Sequence, residues 1–260
     1  MAAAGPGPDS TAAPLEPEAG TPAPPAPPAR RPRPSGAAVR FDDAQPVTVI
    51  LVRHGETEMT VSRGYSGSSE PGPSLTARGR AQAAAAGELV RRVGHDLWGD
   101  IPFPTELIAS PMVRTQETAA VIGEHLGLTP RVDPAFQEAH FGAWQGLTAE
   151  QIEERWPGLL EPWHTRADIR PEGGESIADV GERIGAGLDA LLAAGTDRTV
   201  VVVSHAVAIR AALGRTMGAN PGSWSQLRVA PASVSIIRLF EDKRDEVAVA
   251  GAPSEGWSGR

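Results

Sequence analysis

Two histidines in this sequence follow directly on apolar runs. His54 comes after Val47-Thr-Val-Ile-Leu-Val-Arg53, and His205 after Thr199-Val-Val-Val-Val-Ser204. Such near-continuous β-branched runs read as strands buried on both faces. Ligands of open α/β sheets bind beyond the carboxyl ends of the strands, so both imidazoles face one crevice. A third run, Glu106-Leu-Ile-Ala109, ends at Ser110, and Arg114 falls in the first turn of the helix expected behind it. Arg53, Arg114, His54, His205 and a helix N-terminus make a compact anion site, with guanidinium forks of the geometry suited to phosphate. Each residue alone has an ordinary reading: a structural histidine, a surface arginine, Gly55 as turn chemistry. Their joint occurrence at three strand ends is difficult to explain as coincidence.

The elements around these residues set the fold class. Thr76 is expected to cap a helix whose Ala81, Ala85, Leu89 and Val93 recur at i+4. A loop with Asp100, Pro102 and Pro104 follows. Ser110 is expected as N-cap and Pro111 as first residue of a helix ending near Gly127. Residues 136 to 175 scatter Phe136, Phe141, Trp144, Trp156 and Trp163 among Gly and Pro and read as an irregular insertion or lid. Asp179 to Leu192 reads as a helix, while Ser233 to Phe240 and Val247-Ala-Val read as paired edge strands around 242 to 245. This alternation implies an α/β fold: a three-layer α/β/α sandwich with a mainly parallel central sheet.

Of the 260 residues, the first 45 form a separate class of sequence. Eleven prolines fall between Pro6 and Pro34, with almost no large apolar side chains, so the segment cannot offset the entropy of ordering. It is read as a disordered tail. Pro22-Ala-Pro-Pro-Ala-Pro-Pro28 has polyproline II character, for which a flexible spacer is the plainer reading than an SH3-type ligand. Residues 46–250 are read as one domain and 251–260 as a flexible end. With 40% hydrophobic and 22% charged residues, the domain can bury a substantial core. The absence of cysteine excludes disulfides, thiolate metal sites and a cysteine nucleophile.

A net charge of -8 argues against a broad basic surface for nucleic acid or anionic membrane, and makes a local cluster of arginines more informative. No stretch approaches the roughly 18 apolar residues needed to span a bilayer, and no signal peptide is visible. The protein is read as cytoplasmic, with a homodimer through the late edge strands left open.

These blocks resemble the histidine phosphatase superfamily, also called phosphoglycerate-mutase-like. Leu51-Val-Arg-His-Gly-Glu-Thr57 is similar to its signature, and Ser110-Pro-Met-Val-Arg-Thr-Gln-Glu-Thr118 to its second arginine block. Glu138-Ala-His-Phe-Gly-Ala-Trp-Gln-Gly146 resembles its acidic block, Gly173-Gly-Glu-Ser176 a common phosphatase motif, and Val203-Ser-His205 its second-histidine block. The blocks span about 46 to 240 in the family's order. Within the family the domain resembles the bacterial phosphatases that include α-ribazole phosphatases and the domains fused behind ribonuclease H. The tail is too short and too polar to be a ribonuclease H domain.

The resemblance implies that His54 is a nucleophile forming a phosphohistidine, that Arg53, Arg114 and His205 hold the phosphoryl oxygens, and that Glu138 is the proton donor. It implies no metal and no cofactor, and a small phosphate ester as ligand. Thr60 and Gly67 are further expected phosphate contacts, Thr60 standing where members often carry Asn and offering a hydroxyl instead. Ala206 replaces the Gly that usually follows the second histidine. Ala139 and Phe141 depart from the mutase pattern, so hydrolysis is expected over mutase-type phosphotransfer. The rival from another class, a non-catalytic phospholigand-binding module, needs neither His54 nor Glu138. With Arg155, Arg166 and Arg170 as its only arginines, the segment 136 to 175 predicts an uncharged or partly apolar leaving group.

Deleting residues 1 to 40 is expected to leave kcat and Tm nearly unchanged, because the segment has little to bury. A large drop in Tm in a thermal melt would show that it docks on the domain.

Overall fold

The protein, described here from a computed structural model over residues 44–255, is built on one six-stranded sheet. The expected tail lies outside the described residues up to residue 43, as do residues 256 to 260. In chain order the elements are β1 (Val47–Arg53), α1 (Glu58–Ser62), α2 (Ala77–Arg92), β2 (Pro104–Ala109), α3 (Val113–Leu126) and β3 (Arg131–Val132). Then come α4 (Ala149–Arg155), α5 (Leu160–Arg166), α6 (Ile177–Ala193), β4 (Arg198–Ser204), α7 (Ala206–Thr216), β5 (Val234–Leu239) and β6 (Glu246–Ala252). The strand order is β3-β2-β4-β1-β5-β6. The first four run parallel and the last two antiparallel, so the sheet is mixed.

Burial on both faces explains the unbroken apolar runs. Val47, Val49 and Leu51 of β1 join Val200 and Val202 of β4 in one core, with α6 and α7 residues such as Ile184 and Leu213. Ile50, Val52, Val201 and Val203 face the other way, onto Ala86 and Val90 of α2 and Ile122 of α3. Among the described residues no helix is long and apolar enough to cross a membrane.

Several expectations need correction. Thr76 does cap α2, accepting from the Gly79 N–H at 2.9 Å. The buried stripe, however, runs through Gly79, Gln82, Ala83, Ala86, Leu89 and Val90, and Ala81 is exposed. An Ala-rich helix does not announce its inner face, because neighbouring positions carry the same side chain. The N-cap of α3 is Met112 and the helix begins at Val113, so Pro111 precedes it, while the Ser110 hydroxyl meets His205 Nε2 and accepts from the Met112 N–H at 3.5 Å. Pro104 opens β2 instead of closing the loop before it. β5 lies between β1 and β6, so of these two strands β6 alone is an edge, the other edge of the sheet being β3, and β6 runs on to Ala252.

The segment 136 to 175 is not a loose lid. It holds 3₁₀ turns at Pro134–Phe136 and Gly142–Trp144 besides α4 and α5, and it buries Phe136, Phe141, Trp144 and Trp163. Tyr65 meets Phe141 edge-on at 5.0 Å, and Trp144 meets Trp163 at 5.9 Å. Short helices suffice here because each large ring buries 150–250 Å² or so. Trp156 is half-buried.

Gly55 is not turn chemistry either. A Cβ on it would lie 2.3 Å from the Gly79 carbonyl oxygen, and one on Gly79 would lie 2.1 Å from the Glu56 oxygen. The loop carrying His54 thus packs backbone to backbone on the first turn of α2. Gly79→Ala tests this contact with an opposite sign from helix propensity, which alone favours Ala by about 1 kcal/mol. The clash is expected to win and lower the unfolding free energy by about 1–3 kcal/mol in urea titration; a stabilised variant would refute the contact.

Candidate active site

Strand register brings the site together. Arg53 of β1 pairs with Ser204 of β4, and Ala109 of β2 pairs with Val203. His54, His205 and Ser110 are therefore the residues next out from three parallel strands. His54 N–H donates to the Ser204 carbonyl at 3.0 Å, and Ser110 N–H to that of Val203 at 3.1 Å. The His54 and His205 ring centroids lie 5.2 Å apart, and His205 Nε2 lies 2.7 Å from Ser110 Oγ.

His54 Nδ1 lies 2.7 Å from the Gly55 carbonyl oxygen. A carbonyl only accepts, so Nδ1 carries the proton and Nε2 keeps its lone pair. Thr118 ties this loop to α3: its hydroxyl donates to the Arg114 carbonyl at 2.7 Å and accepts from the Gly55 N–H at 3.2 Å.

Two guanidiniums flank the imidazoles. Arg53 Nη1 donates to the Val229 carbonyl at 2.7 Å. Arg114, fully buried, donates through Nη2 to the carbonyls of Ser66 at 2.9 Å and Gly67 at 3.2 Å. Arg53 Nε, Arg114 Nε and Nη1, and His205 Nδ1 are buried and find no partner among the described residues. Unpaired buried donors are costly unless a ligand engages them. Burial brings both guanidiniums down to about 10, with the nearby Glu138 carboxylate opposing it, so both stay charged at neutral pH.

Glu138 is 5% exposed and accepts backbone N–H bonds from Ala139 at 3.0 Å and from Val207 and Ala208 at 3.3 Å. The last two are first-turn donors of α7, whose N-cap His205 contributes no side-chain bond. The carboxylate caps the helix from outside. Arg183 fixes it from behind, bonding the carbonyls of Ala135, Gln137 and Glu138 while paired with Glu175 at 2.9 Å. Glu175 belongs to the Gly-Gly-Glu-Ser motif, and Ser176 in the same motif caps α6.

Five of the seven expected site residues thus converge: Arg53, His54, Arg114, Glu138 and His205. Thr60 has a local partner: its hydroxyl accepts from the Thr57 N–H in a capping box at the start of α1. A short polar side chain three residues after a threonine is used for the helix end first. Gly67 is placed beside Arg114, but its N–H donates to Gln145 Oε1 at 2.9 Å and its carbonyl accepts from Arg114. It supports the arginine. The sequence does not single out Arg183, although it lies eight residues after the motif Glu175. Among the described residues no three His, Asp or Glu side chains could hold a metal ion.

A cluster of guanidiniums and neutral imidazoles at the carboxyl ends of parallel strands defines a phosphoryl-handling protein of three-layer α/β architecture. The chain belongs to the histidine phosphatase superfamily (branch 1), whose family model matches residues 49–250. A bifunctional protein of Mycobacterium tuberculosis is 36% identical over 203 residues, covering 78% of this chain and 53% of that protein. The chain therefore spans about half the length of that relative. A glucosyl-3-phosphoglycerate phosphatase of the same organism is 33% identical, covering 69% of this chain and 84% of its own. The solved structure of a mycobacterial glucosyl-3-phosphoglycerate phosphatase with VO3 is 31% identical, with a TM-score of 0.69, covering 80% of this chain and 99% of that one.

Burial, then the charges of Arg114 and Arg53, hold His54 neutral well below the usual histidine range; burial and Arg114 do the same for His205. Their folded pKa values lie below the unfolded value near 6.5. Below that pH the unfolded chain binds protons that the folded pocket refuses, so stability falls as pH falls, by up to about 1.4 kcal/mol per pH unit per histidine. Between pH 7 and 5.5, urea titrations are expected to show a steeper loss in the wild type than in the double variant His54→Asn, His205→Asn. Equal slopes would mean that the folded pocket takes up the protons.

Proposed function

We propose that this protein hydrolyses a small phosphate monoester through a phosphohistidine on His54, without a metal ion. The observation that supports this most is the Gly55 carbonyl on His54 Nδ1, which leaves Nε2 as an unprotonated nucleophile between two guanidiniums. The Nε2 lone pair attacks phosphorus and the bond to the leaving oxygen breaks. Arg53, Arg114 and His205 donate to the phosphoryl oxygens, supplying the charge neutralisation that metal ions supply in other phosphotransfer enzymes. Glu138, protonated for this step, gives its proton to the leaving alkoxide. In the second half-reaction the same carboxylate takes a proton from water as the water oxygen attacks phosphorus. The P–N bond breaks, phosphate leaves and His54 returns to its neutral form. Retention of both His54 and Glu138 favours this reading over a binding module, and the phosphatase names among the relatives favour it over phosphotransfer between substrates.

Phosphate release from p-nitrophenyl phosphate in EDTA is the direct test. His54→Ala is expected to abolish it with the fold intact, and wild-type enzyme quenched in alkaline detergent during turnover is expected to carry an acid-labile, base-stable phosphoryl group; activity retained by His54→Ala would overturn the covalent mechanism. Loss of Arg53 or Arg114 is expected to cost on the order of 10²–10³ in rate, as for one preorganised oxyanion donor. A change below about threefold would remove that residue from the pocket.

A further inference from the structure

The two imidazoles of the pocket are alike in burial, but their unpartnered atoms differ. At His54 the Gly55 carbonyl, 2.7 Å from Nδ1, holds the proton there and leaves the Nε2 lone pair free. At His205 the unpartnered atom is Nδ1, and Nε2 is the one with a partner, Ser110 Oγ at 2.7 Å. A hydroxyl both donates and accepts, so the proton on this second ring is placed by what else surrounds Ser110.

Ser110 is fully buried, and its other polar groups are engaged. Its N–H donates to the Val203 carbonyl at 3.1 Å, and its own carbonyl accepts from the Thr115 hydroxyl at 2.9 Å and from the Gln116 side-chain amide. Oγ accepts from the Met112 N–H at 3.5 Å, the long limit of a hydrogen bond, so capping α3 is the lesser of its two engagements. Among the described residues the hydroxyl proton has one acceptor within reach, His205 Nε2. Burial first, and then the charge of Arg114, keeps the His205 ring neutral, so it carries a single N–H. With that N–H at Nε2, the Ser110 proton would be buried without an acceptor. Nδ1 would then hold a lone pair that no protein donor uses and that the oxygens of a bound anion would repel. With the N–H at Nδ1, Ser110 donates to Nε2, and Nδ1 joins the unpaired donors of Arg53 and Arg114 that such oxygens complete.

The geometry points to Ser110 as a positioning residue that fixes His205 in its Nδ1–H tautomer and so gives the two histidines different tasks. Both rings then carry their proton on the same nitrogen for opposite reasons. An acceptor on Nδ1 makes His54 present a lone pair, and a donor on Nε2 makes His205 present an N–H. One ring attacks phosphorus while the other stabilises its oxygens, a division that two interchangeable imidazoles with centroids 5.2 Å apart would not have. The hydroxyl is held in place because its backbone is: Thr115 and Gln116 clamp the Ser110 carbonyl from the first turn of α3, the turn that also carries Arg114.

The inference rests on the phosphomonoesterase reading for the use made of the His205 N–H, and the experiment separates the two. Heteronuclear NMR of nitrogen-labelled protein distinguishes protonated from unprotonated ring nitrogens, with the His205 signals assigned by their loss in His205→Asn. Wild-type His205 is expected to show a protonated Nδ1 and an unprotonated Nε2; a protonated Nε2 overturns the inference. In Ser110→Ala, His205 is expected to lose this single tautomer while His54 keeps its own. In the same variant the Kd for inorganic phosphate, measured by calorimetry, is expected to rise about tenfold, and kcat on p-nitrophenyl phosphate to fall about 10- to 100-fold. A His205 spectrum unchanged in Ser110→Ala, or a phosphate Kd within about twofold of the wild type, also overturns the inference. If Ser110→Ala fails to melt cooperatively, the wild-type spectrum decides alone. Absence of phosphate release from p-nitrophenyl phosphate by the wild type overturns the hydrolase reading, while the spectra and the phosphate affinities still decide Ser110.

Discussion

The pocket is organised around a repulsion. Arg53 and Arg114 carry like charges, both are withdrawn from water, and each has a neighbouring cation: Arg53 acts on Arg114, and Arg210 on Arg53. Charges so placed need partners, and the protein supplies backbone carbonyls at Val229, Ser66 and Gly67 together with the single carboxylate of Glu138. Burial first, and then the same cations, keep both imidazoles neutral. What remains unsatisfied, the Nε donors and Arg114 Nη1, is what an anion with several acceptor oxygens would complete.

Glu138 answers two demands with one side chain. It offsets the guanidiniums, and it takes the orphan N–H groups of α7 that His205 leaves uncapped. A residue held by three backbone donors, and by Arg183 through the carbonyls around it, has little freedom to swing away. The Gly-Gly-Glu-Ser motif acts at a distance through the same brace: Glu175 holds Arg183 and accepts from the His140 N–H at 2.8 Å. Its contribution is to position the acidic loop.

The geometry is held by backbone as much as by side chains. The Gly55–Gly79 approach sets the nucleophile loop on α2, Thr118 sets it on α3, and the β1–β4 register sets His54 beside His205. None of these leaves room for adjustment by more than a fraction of an ångström, because interiors are close-packed.

The sequence by itself determined β1, β4 and most of β2, because long β-branched runs allow one reading, and with them Arg53, His54, Arg114 and His205, which lie at or just past the ends of those runs; Glu138 was legible only through the resemblance of its block, and the two-residue β3 was not legible at all. Local chemistry is legible when it is local. Tertiary structure alone decided the inner face of α2, where alanines make every face alike, and the fate of residues 136 to 175, where isolated aromatics become core only once a sheet and α6 stand behind them. It also decided which polar groups have partners inside the protein: the Ser110 hydroxyl with His205, that of Thr60 with Thr57, the Gly67 N–H with Gln145. And it set Arg210, in sequence a helix residue five places beyond a histidine, against the Leu227 carbonyl, two residues before the Val229 carbonyl that holds Arg53, since a helix turns its third and fourth neighbours onto one face and only the fold says what that face meets.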